Sequence, residues 1–372
     1  MQSDRPAGTP THDRRTFILV AAIVAVVVAV ALFYIALGLL TASTTLGCDY
    51  SSYSGAARRF LDGQPIYLPG PARTGACPLF PYPPPFVLIV LPFVLVGSAG
   101  MWLWIGTAIA AFALGTAILP VAKWIRLAIF LLGAIGWPLI FGVRIGQVVP
   151  LLYLLFALGW RCVDRPGILG ATSAIGAMIK VQPGLAILWM VAARRWRALA
   201  AAVATAAALA VAAAAIGLAD WPEFIRTIVH ISSAIDVPAN LSVGATAFRL
   251  GLSFEAASIA QVANSIAVVG ITVYAGLRLP AAPGFLIAAT ASQILSPIVW
   301  SHYALILLLP VAWLVHERQK WALLIPVIHA WMLISTVPEW SYPLSFYVIL
   351  GAVVIVGRRQ GRVSAGVPTM TA

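Results

Sequence analysis

The sequence predicts an all-α, polytopic integral membrane protein. Of its 372 residues, 62% are hydrophobic and 9% are charged, whereas a soluble domain carries about 25% charged residues. The apolar residues come in runs. The first run, 17–42, has no charged side chain and exceeds the roughly 20 residues that cross a bilayer. Short alternating segments, which a β-barrel would need, do not dominate. Helices are therefore the structure that satisfies this backbone in lipid.

The apolar runs predict a bundle of about twelve spans, some of them short or re-entrant. One run too many is present for both termini to be cytoplasmic, so part of 83–120 is expected to be re-entrant or to merge with its neighbour. Several runs contain proline, which membrane helices tolerate where neighbours or a cavity cover the freed backbone groups. The predicted spans cover 17–42, 82–100, 101–120, 125–141, 148–160, 167–179, 183–193, 199–218, 256–277, 283–295, 303–315, 321–336 and 342–356.

The arrangement of basic residues predicts the orientation. Arginines precede the first span, and "RCVDR", "ARRWR", "HERQK" and "GRRQGR" mark further cytoplasmic turns. The net charge of +12 fits this bias and contact with anionic headgroups, rather than nucleic acid, because the bases lie at the ends of apolar runs. We expect a cytoplasmic tail over 1–16, one membrane-embedded domain over 17–357 and a cytoplasmic tail over 358–372.

Two long polar loops, 43–82 and 219–254, are then expected on the non-cytoplasmic face. In the first loop, Tyr53, Ala57 and Phe60 can share one helical face, which predicts a short interfacial helix over 51–62. Cys48 and Cys77 lie in the same loop. They are a candidate disulfide if the loop faces an oxidising compartment, and two free, buried thiols are the alternative.

Polar residues gather on this one face. Such residues at the edges of spans cost energy and tend to be functional. One carboxylate, one imidazole and several cations indicate a site for an anionic substrate, because a carboxylate can take a proton from a hydroxyl and cations can neutralise a phosphate leaving group. The set comprises Asp49, Arg144, Gln147, Lys180, Gln182, Asn240, Ser242, Arg249, Ser301 and His302.

Six segments, in order, carry a family resemblance: "CDYSSYSGAARRFLDGQPIY", "FPYPPPFVLIVLPFVLV", "GQVVPLLYLLFALGW", "IKVQPGLAILWMVAARRWRA", "PANLSVGATAFRL" and "QILSPIVWSHYALILLLP". Over about 17–357 the chain resembles glycosyltransferase family 87, the polyprenyl-phosphate-mannose-dependent α-mannosyltransferases of the membrane-embedded GT-C class. The resemblance implies inverting transfer of a hexose, mannose, from a polyprenyl-phosphate donor to an acceptor hydroxyl. It also implies catalysis on the periplasmic or extracellular face of the cell membrane.

The resemblance assigns roles by position. Asp49 matches the acidic residue after the first span and would be the general base. His302 would orient the substrate or the donor phosphate, and Lys180 could pair with that phosphate. Asn240, Ser242 and Arg249 fall in a substrate-binding stretch, where Leu241 departs from the family's usual glutamine.

The remaining candidates depend on placement alone. Arg144 and Gln147 either line the cleft or end a helix. Tyr50 and Tyr53 are either interfacial anchors or sugar contacts.

No cofactor or metal is expected, because no cluster has metal-ligand spacing. No P-loop or GxGxxG motif precedes a helix, so a nucleotide donor is not expected. The expected partners are a polyprenyl-phosphate sugar donor, a glycolipid or glycan acceptor and membrane lipids, with the chain acting as a monomer. Three alternatives stay open: a transporter or flippase of a lipid-linked or anionic solute, a non-catalytic scaffold, and a related enzyme that uses another lipid-linked sugar.

Overall fold

The computed structural model describes residues 45–68, 77, 79–232, 234–237, 239–331 and 340–365. The predicted tail 1–16 and first span 17–42 lie outside them, as do 332–339 and 366–372. Every regular element in the described part is helical. The α-helices are α1 (Cys48–Leu61), α2 (Phe86–Leu95), α3 (Gly100–Ala117), α4 (Lys123–Ala134), α5 (Trp137–Ile145), α6 (Val149–Arg161), α7 (Pro166–Ile179), α8 (Leu185–Ala192), α9 (Trp196–Ala215), α10 (Trp221–Ile231), α11 (Val243–Arg249), α12 (Phe254–Arg278), α13 (Ala281–Leu295), α14 (Leu308–His316), α15 (Leu324–Trp331) and α16 (Ser341–Ala365). Short 3₁₀ turns cover Gly97–Ala99, Gln182–Gly184, Ser301–Leu307 and Lys320–Leu323.

Within the described residues, four helical segments are long and apolar enough to cross a membrane: Gly97–Ala117, Trp196–Ala215, Phe254–Arg278 and Ser341–Gly361. Seven further apolar helices are shorter, at 10–17 residues. This pattern is that of a polytopic membrane protein. The short helices correspond to the proline-containing runs of the sequence.

The predicted span 125–141 is divided in the structure. α4 and α5 are bent by 56° at a short break, so the pair is either a broken span or a re-entrant segment. Gly136 at the break has an extended backbone, and Pro138 follows in the first turn of α5. Proline lacks the N–H that would continue the preceding helix, which is why the run breaks here.

The second polar loop and the first part of the predicted C-terminal tail contain helices. The segment 219–254 contains α10 and α11 rather than irregular chain alone. α16 continues through Ala365, into the region assigned to a tail from 358 onward. α10 has apolar residues on one face and a charged pair, Glu223 and Arg226, in its first turns. Such an amphipathic helix can lie at a membrane surface and is missed when only long apolar runs are counted.

The centre of the bundle is α13 with the 3₁₀ turn Ser301–Leu307 and α14. All residues from Pro283 to Ile294 are buried, and so are those from His302 to Val315. α13 is rich in alanine, which allows neighbouring backbones to approach closely. α9 lies at the periphery and packs mainly against α7, where a Cβ on Gly170 would lie 2.3 Å from the Ala198 carbonyl oxygen. The last turns of α5 and α13 and the residue after α7 border one cavity of this bundle.

Candidate active site

The carboxylate of Asp49 lies at the start of α1. The Gly47 N–H donates to the Arg144 carbonyl oxygen at 2.9 Å, which joins the start of α1 to the end of α5. α1 begins at Cys48, three residues before the predicted start at 51, so Asp49 lies in its first turn. The positive end of a helix dipole favours a carboxylate there. Asp49 is thus an ordered helical residue rather than part of an irregular loop.

A disulfide joins Cys48 to Cys77, 29 residues further along the chain. The Ser52 hydroxyl donates to the Leu79 carbonyl oxygen on the same segment. These two links attach α1 to the stretch that leads to Tyr82. The wall formed by this stretch is therefore tied to the helix that carries Asp49.

Gln147 connects α1 to the end of α5. Its Nε2 donates to Asp49 Oδ2 at 2.6 Å. Its Oε1 accepts hydrogen bonds from the Val148 N–H at 2.7 Å and from the Tyr53 hydroxyl at 2.8 Å. Only 3% of Gln147 is exposed, so these contacts use most of its hydrogen-bonding groups.

Gly146 makes this approach possible. It adopts a φ of 73° as it ends α5, a backbone conformation that favours glycine. A Cβ at this position would lie 2.7 Å from the Tyr50 Cβ. Tyr50 is buried beside Trp104, with ring centroids 6.1 Å apart. Tyr50 therefore packs α1 onto α3 and α5, and it is not an interfacial anchor.

Lys180 follows α7, where the chain extends before the Gln182–Gly184 turn. Its side chain is 7% exposed. The ammonium donates to the Tyr303 hydroxyl, and Nζ lies 3.9 Å from the centroid of the Tyr303 ring. Neither of the two ion pairs within the described residues, Arg195–Asp164 and Arg226–Glu223, includes Lys180. Aromatic and hydroxyl groups, rather than a carboxylate, hold this buried cation.

His302 lies in the 3₁₀ turn Ser301–Leu307 and is 2% exposed. Its ring contacts Phe141 and Tyr303. Neither Nδ1 nor Nε2 has a hydrogen-bond partner within the described residues. A buried polar atom without a partner costs about 1–3 kcal/mol. No hydrogen bond within the described residues uses either ring nitrogen.

A single cavity of about 370 Å³ brings these groups together. This volume lies in the range of small-molecule sites. Polar groups form part of the lining, and apolar side chains from α5, α10 and the 295–300 segment form the rest. The lining residues are Thr45, Cys48, Asp49, Ser52, Leu79, Pro81, Tyr82, Phe141, Ile145, Gln147, Lys180, Val181, Gln182, Ile228, Ile231, Leu295, Ser296, Pro297, Ile298, Trp300, His302 and Tyr303.

Burial controls the protonation of the one carboxylate in this lining. It raises the pKa of Asp49 from the ordinary 3.8 to about 6, although Lys180 and the Gln147 hydrogen bond act in the opposite direction. A carboxylate with a pKa near 6 is ionised at neutral pH and is a stronger base than an ordinary aspartate. Asp49 can therefore accept a proton from a hydroxyl that enters the cavity.

Of the residues predicted to share this face, the cavity lining includes Asp49, Gln147, Lys180, Gln182 and His302, but not Arg144, Asn240, Ser242, Arg249, Ser301, Tyr50 or Tyr53. Arg144 lies in the last turn of α5, where its backbone carbonyl, rather than its side chain, makes the contact with Gly47. Tyr53 is fully buried behind Gln147 rather than at the membrane interface.

Asn240 acts within the protein. Its Nδ2 donates to the carbonyl oxygens of Ala234 and Pro297. Its Oδ1 accepts from the N–H groups of Ser242 and Val299, each at 2.9 Å. With four such bonds, Asn240 attaches the second loop to the cavity wall and has little capacity left for a sugar.

Ser242 and Arg249 also support this loop. Ser242 caps the start of α11 by accepting from the Ala245 N–H. Arg249 donates to the Asn240 carbonyl oxygen at 2.6 Å, from an exposed position. The polar groups of Asn240 and Ser242 thus bond to the loop and to the adjoining 297–299 segment, and the substrate-binding role of this stretch stays a prediction.

Five hydroxyl-bearing residues of the lining are absent from the candidates predicted from sequence: Thr45, Ser52, Tyr82, Ser296 and Tyr303. Tyr303 directly follows His302 in "WSHY", and Tyr82 lies in "PYPPP". Ser296 accepts from Gln182 Nε2 at 2.9 Å. Proximity to a predicted site residue is a signal for Tyr303, whereas tyrosines in apolar runs usually read as interfacial anchors.

In the described residues, no group of three or more His, Cys, Asp or Glu side chains could hold a metal ion.

A comparison with curated protein sequences gives no significant match. The family model of glycosyltransferase family 87 matches residues 80–299, which is more than half of the chain. This segment is shorter than the 17–357 of the sequence resemblance. It includes Gln147 and Lys180, while Asp49 precedes it and His302 follows it; the cavity brings all four together. The apolar helices indicate a membrane protein. The chain belongs to glycosyltransferase family 87 and is therefore a membrane glycosyltransferase.

Proposed function

We propose that this protein transfers mannose from a polyprenyl-phosphate donor to an acceptor hydroxyl with inversion at the anomeric carbon. Asp49 is the general base, and Lys180 and His302 receive the donor phosphate. The reaction takes place on the non-cytoplasmic face of the cell membrane. The acceptor is a glycolipid or a membrane-bound glycan.

The observation that carries this proposal is the buried amine of Lys180, which forms no ion pair with a carboxylate of the described residues and shares a cavity with one carboxylate. A buried cation requires a compensating anion or strong hydrogen bonds. In the described residues, Lys180 has one hydroxyl and aromatic rings. A phosphate entering the cavity would supply the missing charge. The unpartnered nitrogens of His302 supply hydrogen-bonding groups in the same cavity.

The chemistry then divides between the two charged groups. The acceptor oxygen forms a bond to the anomeric carbon, and its proton passes to Asp49. The bond between the anomeric carbon and the phosphate oxygen breaks, and polyprenyl phosphate leaves with the electron pair. Lys180 stabilises the charge that develops on the departing phosphate, the kind of electrostatic stabilisation that dominates many enzymatic rate enhancements.

The apolar part of the lining suits a lipid carrier. Ile228 and Ile231 of α10 border the cavity together with Val181, of which 49% is exposed. Ile225 and Val229 continue the apolar surface of α10 outside the cavity. The first isoprene units of the donor would lie along this apolar border and leave the phosphate beside the polar groups.

The distribution of charge supports the non-cytoplasmic face. α6 runs from the cavity to Arg161, and α7 returns from Arg165 to Lys180. Arg195 precedes α9 at the same end as Arg161. Basic turns therefore lie at the helix ends opposite the cavity, which the positive-inside bias assigns to the cytoplasm. The Cys48–Cys77 disulfide is also typical of an oxidising compartment.

Reconstitution in proteoliposomes with labelled polyprenyl-phosphate-mannose and membrane glycolipid acceptors tests the proposal. We expect labelled sugar in the product, with the anomeric configuration inverted as measured by NMR. Asp49→Asn should lower turnover by about 100-fold or more while donor binding persists. Asp164→Asn is the matched control, because Asp164 is exposed and pairs with Arg195 at 3.3 Å, at the opposite end of α7 from Lys180.

Two outcomes would overturn the proposal. Full turnover in Asp49→Asn would show that Asp49 is not the general base. Movement of a labelled solute or lipid across the vesicle membrane without sugar transfer would instead indicate a transporter or flippase. Donors that carry glucose or a pentose in place of mannose test the identity of the sugar in the same assay.

A further inference from the structure

The buried polar groups behind Asp49 form a chain of hydrogen bonds with one direction. The Tyr53 hydroxyl donates its single hydrogen to Gln147 Oε1 at 2.8 Å. The Tyr82 hydroxyl lies 3.0 Å from the Tyr53 hydroxyl and 3.4 Å from Gln147 Oε1, to which it can also donate. Donation therefore runs from the two tyrosine hydroxyls to Gln147 and from Gln147 to Asp49.

A backbone group sets the orientation of the Gln147 amide. The two ends of an amide differ only in that oxygen accepts and nitrogen donates. The Val148 N–H, 2.7 Å from the side-chain oxygen, can only donate. Reversing the amide would point two donors at each other and would point an acceptor at Asp49. The Nε2 group is therefore held towards Asp49 Oδ2, at 2.6 Å.

We propose that Gln147 is a positioning residue for the Asp49 carboxylate rather than a contact to substrate. It donates to Oδ2 before and after proton transfer, which leaves Oδ1 to receive the acceptor's proton. Tyr53 acts through Gln147 by holding its oxygen. This inference rests on the proposed function, because it assumes that Asp49 is the general base.

The same geometry links Gln147 to the pH dependence of the reaction. A hydrogen bond donated to the ionised carboxylate favours that form, so its removal raises the pKa of Asp49. The charged or titratable groups around Asp49 are Lys180, His302, Tyr53, Tyr82 and Tyr303, from four segments of the chain. Lys180 is the cation among them whose charge lowers the pKa of Asp49, and it is unchanged in the variants below.

The test measures kcat/KM against pH in proteoliposomes for Gln147→Met, which retains the length of the side chain without a donor. We expect the acid limb to move to higher pH by about one unit. The loss of activity should then be about tenfold at pH 5 and less than about twofold at pH 8. A residue that only supports packing would give a loss independent of pH, and a substrate contact would raise the KM for the acceptor.

Tyr53→Phe provides a milder variant that removes one hydroxyl and keeps the ring. We expect a shift in the same direction but smaller, and this variant decides the question if Gln147→Met does not fold. Tyr153→Phe is the matched control. Tyr153 is equally buried, and its hydroxyl lies 3.1 Å from the Thr116 hydroxyl, outside the cavity lining. The acid limb of the kcat/KM profile of Tyr153→Phe should therefore not move.

The outcomes separate the two proposals. If Asp49→Asn retains full activity, the proposed function fails. If Asp49→Asn is inactive but the acid limb stays in place in both Gln147→Met and Tyr53→Phe, the positioning role alone is wrong. An acid limb that moves in Tyr153→Phe by as much as in Tyr53→Phe also overturns it, because the effect would then be unspecific.

Discussion

Asp49→Asn should make the folded protein more stable at neutral pH while it abolishes transfer. The reason is that the fold places this carboxylate beside apolar surface, where the ionised form loses hydration. Asparagine has nearly the same shape and can still accept the hydrogen bond that Gln147 donates. The substitution therefore removes a charge and leaves the packing of α1 unchanged.

The size of the effect follows from the pKa of Asp49, which burial raises from 3.8 to about 6. That difference corresponds to about 3 kcal/mol in favour of the protonated form. Asp49 is half-buried and borders the cavity, so solvent screening should reduce this to about 1.5 kcal/mol. For a chain of this size, such a change raises the Tm by about 2 °C.

The gain in Tm from Asp49→Asn also depends on pH. Since the pKa of Asp49 is higher in the folded than in the unfolded protein, the free energy of unfolding falls as pH rises from about 4 to about 6 and is level above that. Asparagine does not titrate, so the gain in Tm should be present at pH 7.5 and absent near pH 4. Thermal unfolding in nanodiscs at both pH values measures this, with Asp164→Asn as control. A lower Tm for Asp49→Asn at pH 7.5 would refute the reasoning, because it would show that Lys180 and Gln147 more than offset the cost of burial.

Three further changes test other contacts. Lys180→Gln should weaken inhibition by polyprenyl phosphate by about tenfold or more, because a charge-assisted hydrogen bond is lost; an unchanged inhibition constant would contradict phosphate binding. Replacing both Cys48 and Cys77 by serine should lower the free energy of unfolding by about 3.5 kcal/mol for a loop of this length, and an unchanged Tm would argue against a stabilising disulfide. Gly146→Ala should cost about 1–3 kcal/mol from its positive φ and its approach to Tyr50, measured as a loss of Tm; full stability would show that the turn relaxes freely.

The helical, membrane-embedded character of the chain was predictable because it depends on composition and run length alone. Any backbone in lipid must satisfy its own hydrogen bonds, so long apolar runs leave helices as the solution. The division of 125–141 at Gly136 was not predictable to the same degree. Proline indicates a possible break, but the packing of neighbouring helices decides whether the helix bends, ends or continues.

Helix packing also decides which of the predicted polar residues line the cavity. Connectivity and charge predicted that Asp49, Gln147, Lys180 and His302 share one end of the bundle, because alternate helix ends meet on one face. The cavity includes all four. Asn240 has the same polarity and lies on the same face, yet its four hydrogen bonds go to the loop and its neighbours. A sequence cannot distinguish these cases, since both place a polar side chain at the end of an apolar run.

The sequence by itself determined that this protein is a helical membrane protein, and it predicted that the candidate site residues lie at one end of the spans. It also carried the resemblance to the family whose model the chain matches. Only the tertiary structure decided which side chains enter the cavity and what holds them. Tyr53 and Gln147 are 94 residues apart, and their hydrogen bond exists only because α1 packs against the end of α5. Hydrogen bonds between residues so far apart in the sequence depend on how the helices pack. No local sequence pattern specifies that packing.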